Sequence, residues 1–248
     1  MKVILSCDEN PFYYDFWPLV KRVWKDHLGI EPYLIHIVKE EKDAREGILN
    51  VKAIDGVPIY LQAQLARIYF TQLFKDEICL VSDIDMIPIS KNFFDKEKIY
   101  ERTQKDSFYH LNPEIREFGQ LPLCYYCAYG STYEKLFNGM TWEQFLHFIL
   151  KKDFNVNKTN YRLPDRLKGN NLWFSDELFL HTQIFSNKID IVKNDQWILP
   201  HKRINREQIL NLDYLNLFND QIIDIHLPRP YSDFTESVDK ILYALDLI

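Results

Sequence analysis

Two aspartates, one residue apart, close the run Ile78-Cys79-Leu80-Val81-Ser82-Asp83-Ile84-Asp85. A short, uninterrupted apolar run is the pattern of a strand buried on both faces of a parallel sheet. Open α/β sheets bind their ligands at the carboxyl ends of such strands. Carboxylates at i and i+2 point the same way once the strand turns, and together they suit a hard divalent cation. Such a cation bridges a diphosphate and neutralises a departing nucleoside diphosphate. The plainer reading is a strand end capped by two solvated aspartates, which is ordinary turn chemistry. Arg67 belongs to the same constellation. It lies on a helix upstream, where Gln64, Arg67 and Thr71 share a face distinct from the apolar stripe. Its guanidinium fork suits phosphate, ribose or sugar oxygens, or else an ion pair with a nearby acid.

The elements that must position these groups follow from periodicity. Val3–Cys7 is a strand, Phe16–His27 carries apolar residues at helical spacing, and Tyr33–Val38 is a second strand. A charged segment follows at Lys39–Glu46, then a helix at Tyr60–Phe74 and the strand Ile78–Val81. This β-α-β-(loop)-α-β order predicts an α/β fold, a mixed but mostly parallel central sheet with helices on both faces. Further along, Phe108–Leu111 and Leu123–Tyr129 read as strands, Thr141–Leu150 and Asp176–Phe185 as helices, and Ile222–His226 as a late strand. Asn155–Asn171 is polar and basic, and reads as a long loop or lid. No repeat or linker divides the chain, so one domain over residues 1–248 is expected.

The chain has 248 residues and a formal charge of −6. That acidic balance argues against a nucleic-acid partner, which calls for a basic surface. Seven glycines are few, and neither GxGxxG nor GxxxxGK[ST] occurs, so no glycine-rich loop cradles a phosphate. The first ten residues carry only a short apolar run that meets Asp8, a buried strand and not a signal peptide. No stretch reaches the length of a transmembrane segment. Cys7, Cys79, Cys124 and Cys127 are expected as buried, reduced thiols, and the expected location is cytoplasmic. The basic stretch His201–Arg206 could hold a diphosphate, touch a membrane surface peripherally, or simply be wet surface.

The segment Tyr60–Phe74, with Arg67, followed by Ile78–Asp85 resembles the helix–strand–DxD unit of GT-A glycosyltransferases. In pattern it is most similar to the glycogenin-like family 8 of retaining enzymes. Leu5–Tyr14 resembles that family's first strand and its Asp-x-x-Tyr base-binding segment. Phe174-Ser-Asp176-Glu177 is similar to its acidic motif at a helix start, and His226-Leu-Pro-Arg229-Pro-Tyr231 to its terminal His…Lys-Pro-Trp. Glu177, Arg229 and Tyr231 stand where the family has Gln, Lys and Trp.

The resemblance implies a single GT-A (Rossmann-like) domain, with a nucleotide-binding half at about 1–90 and a donor-sugar and acceptor half at about 91–248, that moves a sugar from a nucleoside-diphosphate sugar, a UDP-sugar by preference, to an acceptor hydroxyl on a carbohydrate or glycan. It implies Asp85 and His226 as metal ligands, with Asp83 serving metal or ribose. An imidazole in the set favours Mn²⁺ over Mg²⁺. Arg229 then holds the diphosphate, and Ser6, Asp8 and Tyr14 take the nucleobase and ribose. Asp176 and Glu177 either complement a helix dipole or act at the donor sugar, orienting it in a retaining enzyme or serving as general base in an inverting one. Asn157–Trp173, with Tyr161 and Trp173 among basic residues, suits an acceptor platform or a solvated loop. Two other readings remain: a haloacid-dehalogenase-like phosphatase, which also carries DxD after a strand, and a non-catalytic nucleotide-sugar-binding module.

Overall fold

The computed structural model describes residues 1–111, 123–151, 172, 174–194, 202–211 and 222–247. In chain order these form β1 (Lys2–Asp8), α1 (Pro11–Tyr14), α2 (Trp17–Arg22), β2 (Glu31–Val38), β3 (Ile48–Lys52), α3 (Ile59–Tyr69), β4 (Ile78–Val81), β5 (Met86–Pro88) and α4 (Lys96–Arg102). There follow β6 (Ser107–His110), β7 (Tyr126–Tyr129), α5 (Gly130–Glu134), α6 (Trp142–Lys151), α7 (Ser175–Ser186), β8 (Asp190–Lys193), β9 (Lys202–Ile204), β10 (Ile222–His226) and α8 (Thr235–Ala244).

Seven strands make the main sheet in the order β3-β2-β1-β4-β7-β6-β8, and β5, β10 and β9 make a small second sheet. β1 runs parallel to β2 and β4, and β2 to β3. Only β7 is antiparallel to its neighbours, so the sheet is mixed but mostly parallel. The period of two along β1 splits its side chains between two cores. Val3, Leu5 and Cys7 face one core, which α2 and α8 cover; Ile4 faces the other, which α3, α6 and α7 cover. Ser6 shares the second face and donates from Oγ to the Ala63 carbonyl, which pins α3 to β1.

The early strands and helices lie within a few residues of their expected places. The helix expected over Phe16–His27 is α2 continued by a π turn at Val23–His27, and that over Tyr60–Phe74 is α3 continued by a 3-10 turn at Phe70–Phe74. The strand expected from Leu123 begins only at Tyr126, because Tyr125 sits at φ 73° and breaks the extended run. Sequence reasoning missed β3, β5, β8, β9, α1, α4, α5 and α8. At the β7–α5 junction a Cβ on Gly130 would stand 2.6 Å from the Thr71 carbonyl oxygen, so only glycine permits that close approach. The expected Asn155–Asn171 loop, Tyr161 and Trp173 lie outside the described residues. All four cysteines are buried and free, and among the described residues no helix is long and apolar enough to cross a membrane.

One buried group sets a pH response. His110 on β6 stacks on Tyr126 at 3.9 Å between ring centroids and is almost inaccessible. Burial, helped by Lys193, pushes its pKa down from 6.5 to about 3. The unfolded chain therefore takes up a proton near pH 6.5 that the folded chain refuses until about pH 3. Stability from this group is full above 6.5 and falls with pH below it, by up to about 1.4 kcal/mol per pH unit. Urea denaturation should show the parent losing about 2 kcal/mol more than His110→Phe between pH 6.5 and 5. Equal losses would refute this assignment.

Candidate active site

The register of the small sheet builds the site. β4 leaves the main sheet at Val81, and Asp83 and Asp85 follow at its carboxyl end. β5 then pairs antiparallel with β10, with Met86 opposite His226 and Pro88 opposite Asp224. That pairing brings His226 beside Asp85, with Nε2 3.4 Å from Oδ2. β9 runs parallel to β10 with Ile204 opposite Ile225, and a 3-10 turn begins at Arg206. Arg206 thereby reaches the same point. Its Nη2 donates to Asp85 Oδ2 at 2.6 Å and meets His226 Nε2, while its Nε donates to the Leu227 carbonyl at 2.9 Å. The Leu227 N–H donates back to the Asp85 carbonyl at 2.9 Å. Arg229 completes the ring: its Nε is 3.7 Å from Asp85 Oδ2, its guanidinium lies 4.7 Å above the Tyr13 ring, and it donates to the Tyr13 hydroxyl.

Asp85 is only 5% exposed. Burial works to raise its pKa, but His226, Arg206 and Arg229 around it hold the carboxyl below its usual range. His226 contributes most to that lowering, followed by Arg206 and Arg229. Arg206 Nη2 and His226 Nε2 thus converge on the same Asp85 oxygen. Two guanidinium groups against one carboxylate leave a local excess of positive charge, a setting for anionic oxygens.

A second cluster lies two residues back. Arg67 is largely buried, its side chain 11% exposed, and spreads its fork across two carboxylates. Nη1 donates to Asp83 Oδ1 and, at 3.3 Å, to the Ser82 carbonyl; Nη2 donates to Asp176 Oδ2 at 3.0 Å. Burial works against the Arg67 charge, but Asp83 and Asp176 outweigh it and raise its pKa. Asp176, in the first turn of α7 and 3% exposed, is held above the usual carboxylate range by burial despite Arg67, which it shares with Asp83. Glu177 is the next residue, its backbone N–H donating to Asp176 Oδ1 at 2.9 Å.

The remaining expected residues are dispersed. Asp8 ends β1 and accepts from the Asn10 N–H at 3.0 Å. Ser6 turns its hydroxyl toward α3. Tyr14 stacks on His36 at 4.5 Å, and both line a cleft of about 370 Å³ with Asn50, Glu9, Lys42 and Arg45. α1 thus sends Tyr13 toward Arg229 and Tyr14 toward this cleft.

Structure therefore joins Asp85, His226 and Arg229, and separately Arg67, Asp83 and Asp176. It does not bring Asp83 onto the Asp85–His226 pair, and Thr71 donates its hydroxyl to the Ile68 carbonyl instead of sharing Arg67's partners. Among the described residues no three His, Cys, Asp or Glu side chains converge as a metal-binding group. Asp85 and His226 still fit a divalent ion as a pair, because Mg²⁺-type sites commonly use one or two protein ligands and fill the rest with substrate oxygens and water. Arg206, Tyr13, His36 and Asn50 were missed; of these only Arg206 gave a signal, as the last residue of the basic His201–Arg206 stretch.

No family model matches the chain, and no curated protein matches it. Among solved structures, it is similar to galactosyltransferase LgtC in complex with donor and acceptor sugar analogues, at 11% identity over 96% of this chain and 95% of the other, with a TM-score of 0.49. It is similar to a glycosyltransferase involved in glycosylating the major capsid of PBCV-1, at 10% identity over 96% of this chain and 100% of the other, with a TM-score of 0.46. It is also similar to a Drosophila β1,4-galactosyltransferase 7 complexed with manganese, UDP-Gal and xylobiose, at 12% identity over 94% of this chain and 72% of the other, with a TM-score of 0.42.

Proposed function

We propose that this chain is a glycosyltransferase that takes a sugar from a nucleoside-diphosphate sugar, a UDP-sugar by preference, and passes it to a carbohydrate hydroxyl with retention. One observation carries the reading: Asp85, at the carboxyl end of a central strand, meets His226, Arg206 and Arg229 from separate segments. That combination of ligand-type donors and guanidinium groups suits a diphosphate and its counter-ion.

Asp85 and His226 would hold Mn²⁺ or Mg²⁺, whose charge would help a nucleoside diphosphate depart. Arg229, steadied by Tyr13, takes diphosphate oxygens. Tyr14 and the cleft beside His36 and Asn50 take the nucleobase, for which a volume of about 370 Å³ is ample. Asp176 is buried and tied to Arg67, so its work is to orient donor hydroxyls with Arg67 and Asp83 rather than to abstract an acceptor proton. Glu177 faces the sugar beside it. A phosphatase would need Asp83 as a free nucleophile, and Arg67 engages that carboxylate.

Calorimetry with UDP tests the reading. Mn²⁺ should strengthen UDP binding, and Asp85→Ala should weaken the metal-dependent binding by at least about 100-fold, since losing a ligand costs no less than losing its support, which reaches about 100-fold. Tight UDP binding indifferent to both Mn²⁺ and Asp85→Ala would sink it. The donor sugar is then read from slow UDP release across a panel of UDP-sugars.

A further inference from the structure

We infer that Arg206 is an internal counter-ion that makes metal binding wait for the donor diphosphate; this rests on the metal-pair reading of Asp85 and His226 above. Arg206 stands where an ion bound by both side chains would sit, since its Nη2 donates to Asp85 Oδ2 at 2.6 Å and meets His226 Nε2. A guanidinium and a divalent cation cannot share those atoms, and their like charges repel at that range. The arginine is also held from behind by its Nε bond to the Leu227 carbonyl at 2.9 Å. An ion arriving alone must displace Nη2 from Asp85 and His226 and gives it no acceptor in exchange. An ion arriving with a diphosphate meets a different balance, because the phosphate oxygens give the displaced Arg206 new acceptors beside Arg229. The donor and the ion thus recruit each other through one side chain, a reciprocal coupling between two ligands. Arg206 begins a 3-10 turn rather than sitting within a strand, so it can leave without disturbing the β9–β10 pairing.

Free-ion measurement by electron paramagnetic resonance follows Mn²⁺ binding directly, without reference to turnover. Arg206→Gln should bind Mn²⁺ alone about 10-fold more tightly than the parent, and the factor by which UDP enhances Mn²⁺ affinity should shrink by a similar amount. Arg206→Lys, whose single ammonium can meet Asp85 and His226 but cannot also hold the Leu227 carbonyl as Nε does, should fall between them. Circular dichroism and thermal melting establish that both variants are folded. Mn²⁺ affinity in folded Arg206→Gln equal to or weaker than the parent's overturns the exchange while leaving the metal pair in place, provided that UDP-dependent Mn²⁺ binding persists in the parent and is lost in Asp85→Asn. Absence of Mn²⁺ binding in the parent even with UDP overturns both.

Discussion

Arg67→Ala should unfold about 3–5 kcal/mol more easily than the parent, the usual cost of removing one partner from a buried charge cluster. The residue stands between Asp83 and Asp176, and Asp176 has almost no access to water. Without the guanidinium, Asp176 must either stay charged in an apolar site or take up a proton, and burial already biases it toward the proton. The sign with pH follows. A carboxyl whose folded pKa is raised further favours the folded state below its unfolded pKa of about 3.9, and loses that advantage as pH rises through the folded value. The variant's deficit should therefore be smaller at pH 5 than at pH 8, as urea denaturation at both would measure. A deficit independent of pH would mean that lost packing, not charge, dominates. Arg67→Lys should recover only part, because one ammonium cannot reproduce the two-pronged contact. Donor turnover should fall by about 100-fold even at temperatures where Arg67→Ala remains folded, since Asp83 and Asp176 lose their shared anchor.

How far these clusters could be foreseen follows from the range of the forces involved. The parallel core was legible because Val3–Cys7, Tyr33–Val38 and Ile78–Val81 are apolar runs with nothing else to be. Asp83 and Asp85 were legible because their place after β4 fixes them at the sheet's carboxyl edge. β5 and β9 are three residues each, too short for any period to register, and they exist because β10 offers both its edges. The arrival of Arg206 at Asp85 depends on that pairing, so a reading by local pattern could see a basic stretch but not its destination. The same limit applies to Arg67. Its helix face was visible, but the Asp176 it grips lies 109 residues away. The overall charge of −6 is no obstacle to an anionic ligand, because Arg206 and Arg229 concentrate positive charge at one strand end.

The largest purely structural effect is expected where a part-exposed Arg203 meets the buried Asp224 beneath the small sheet. Arg203 on β9 donates through Nε to Asp224 Oδ1 and through Nη2 to Oδ2, both at 2.7 Å, and the Tyr125 hydroxyl donates to Oδ2 at 2.6 Å. Asp224 is fully buried. Tyr125 holds a left-handed backbone, which costs a non-glycine residue about 1–2 kcal/mol. Its N–H donates to the Val81 carbonyl at 2.8 Å, so the bend is fixed directly before Ser82 and Asp83. The ion pair, the tyrosine and the strand end are thus one mechanical unit. Arg203→Met leaves the buried Asp224 carboxyl with the Tyr125 hydroxyl as its side-chain partner among the described residues, and should cost about 3–5 kcal/mol, or a melting temperature about 6–20 °C lower for a chain of this size. Arg203→Met with Asp224→Leu removes both charges. It should regain more than half of the loss, because replacing an ion pair by apolar groups of similar volume spares the desolvation penalty. The double variant still orphans the Tyr125 hydroxyl, so recovery stays incomplete until Tyr125→Phe is added. A double variant no more stable than Arg203→Met would show that this pair holds the bend at β4 by its geometry, and that neutral packing cannot replace it.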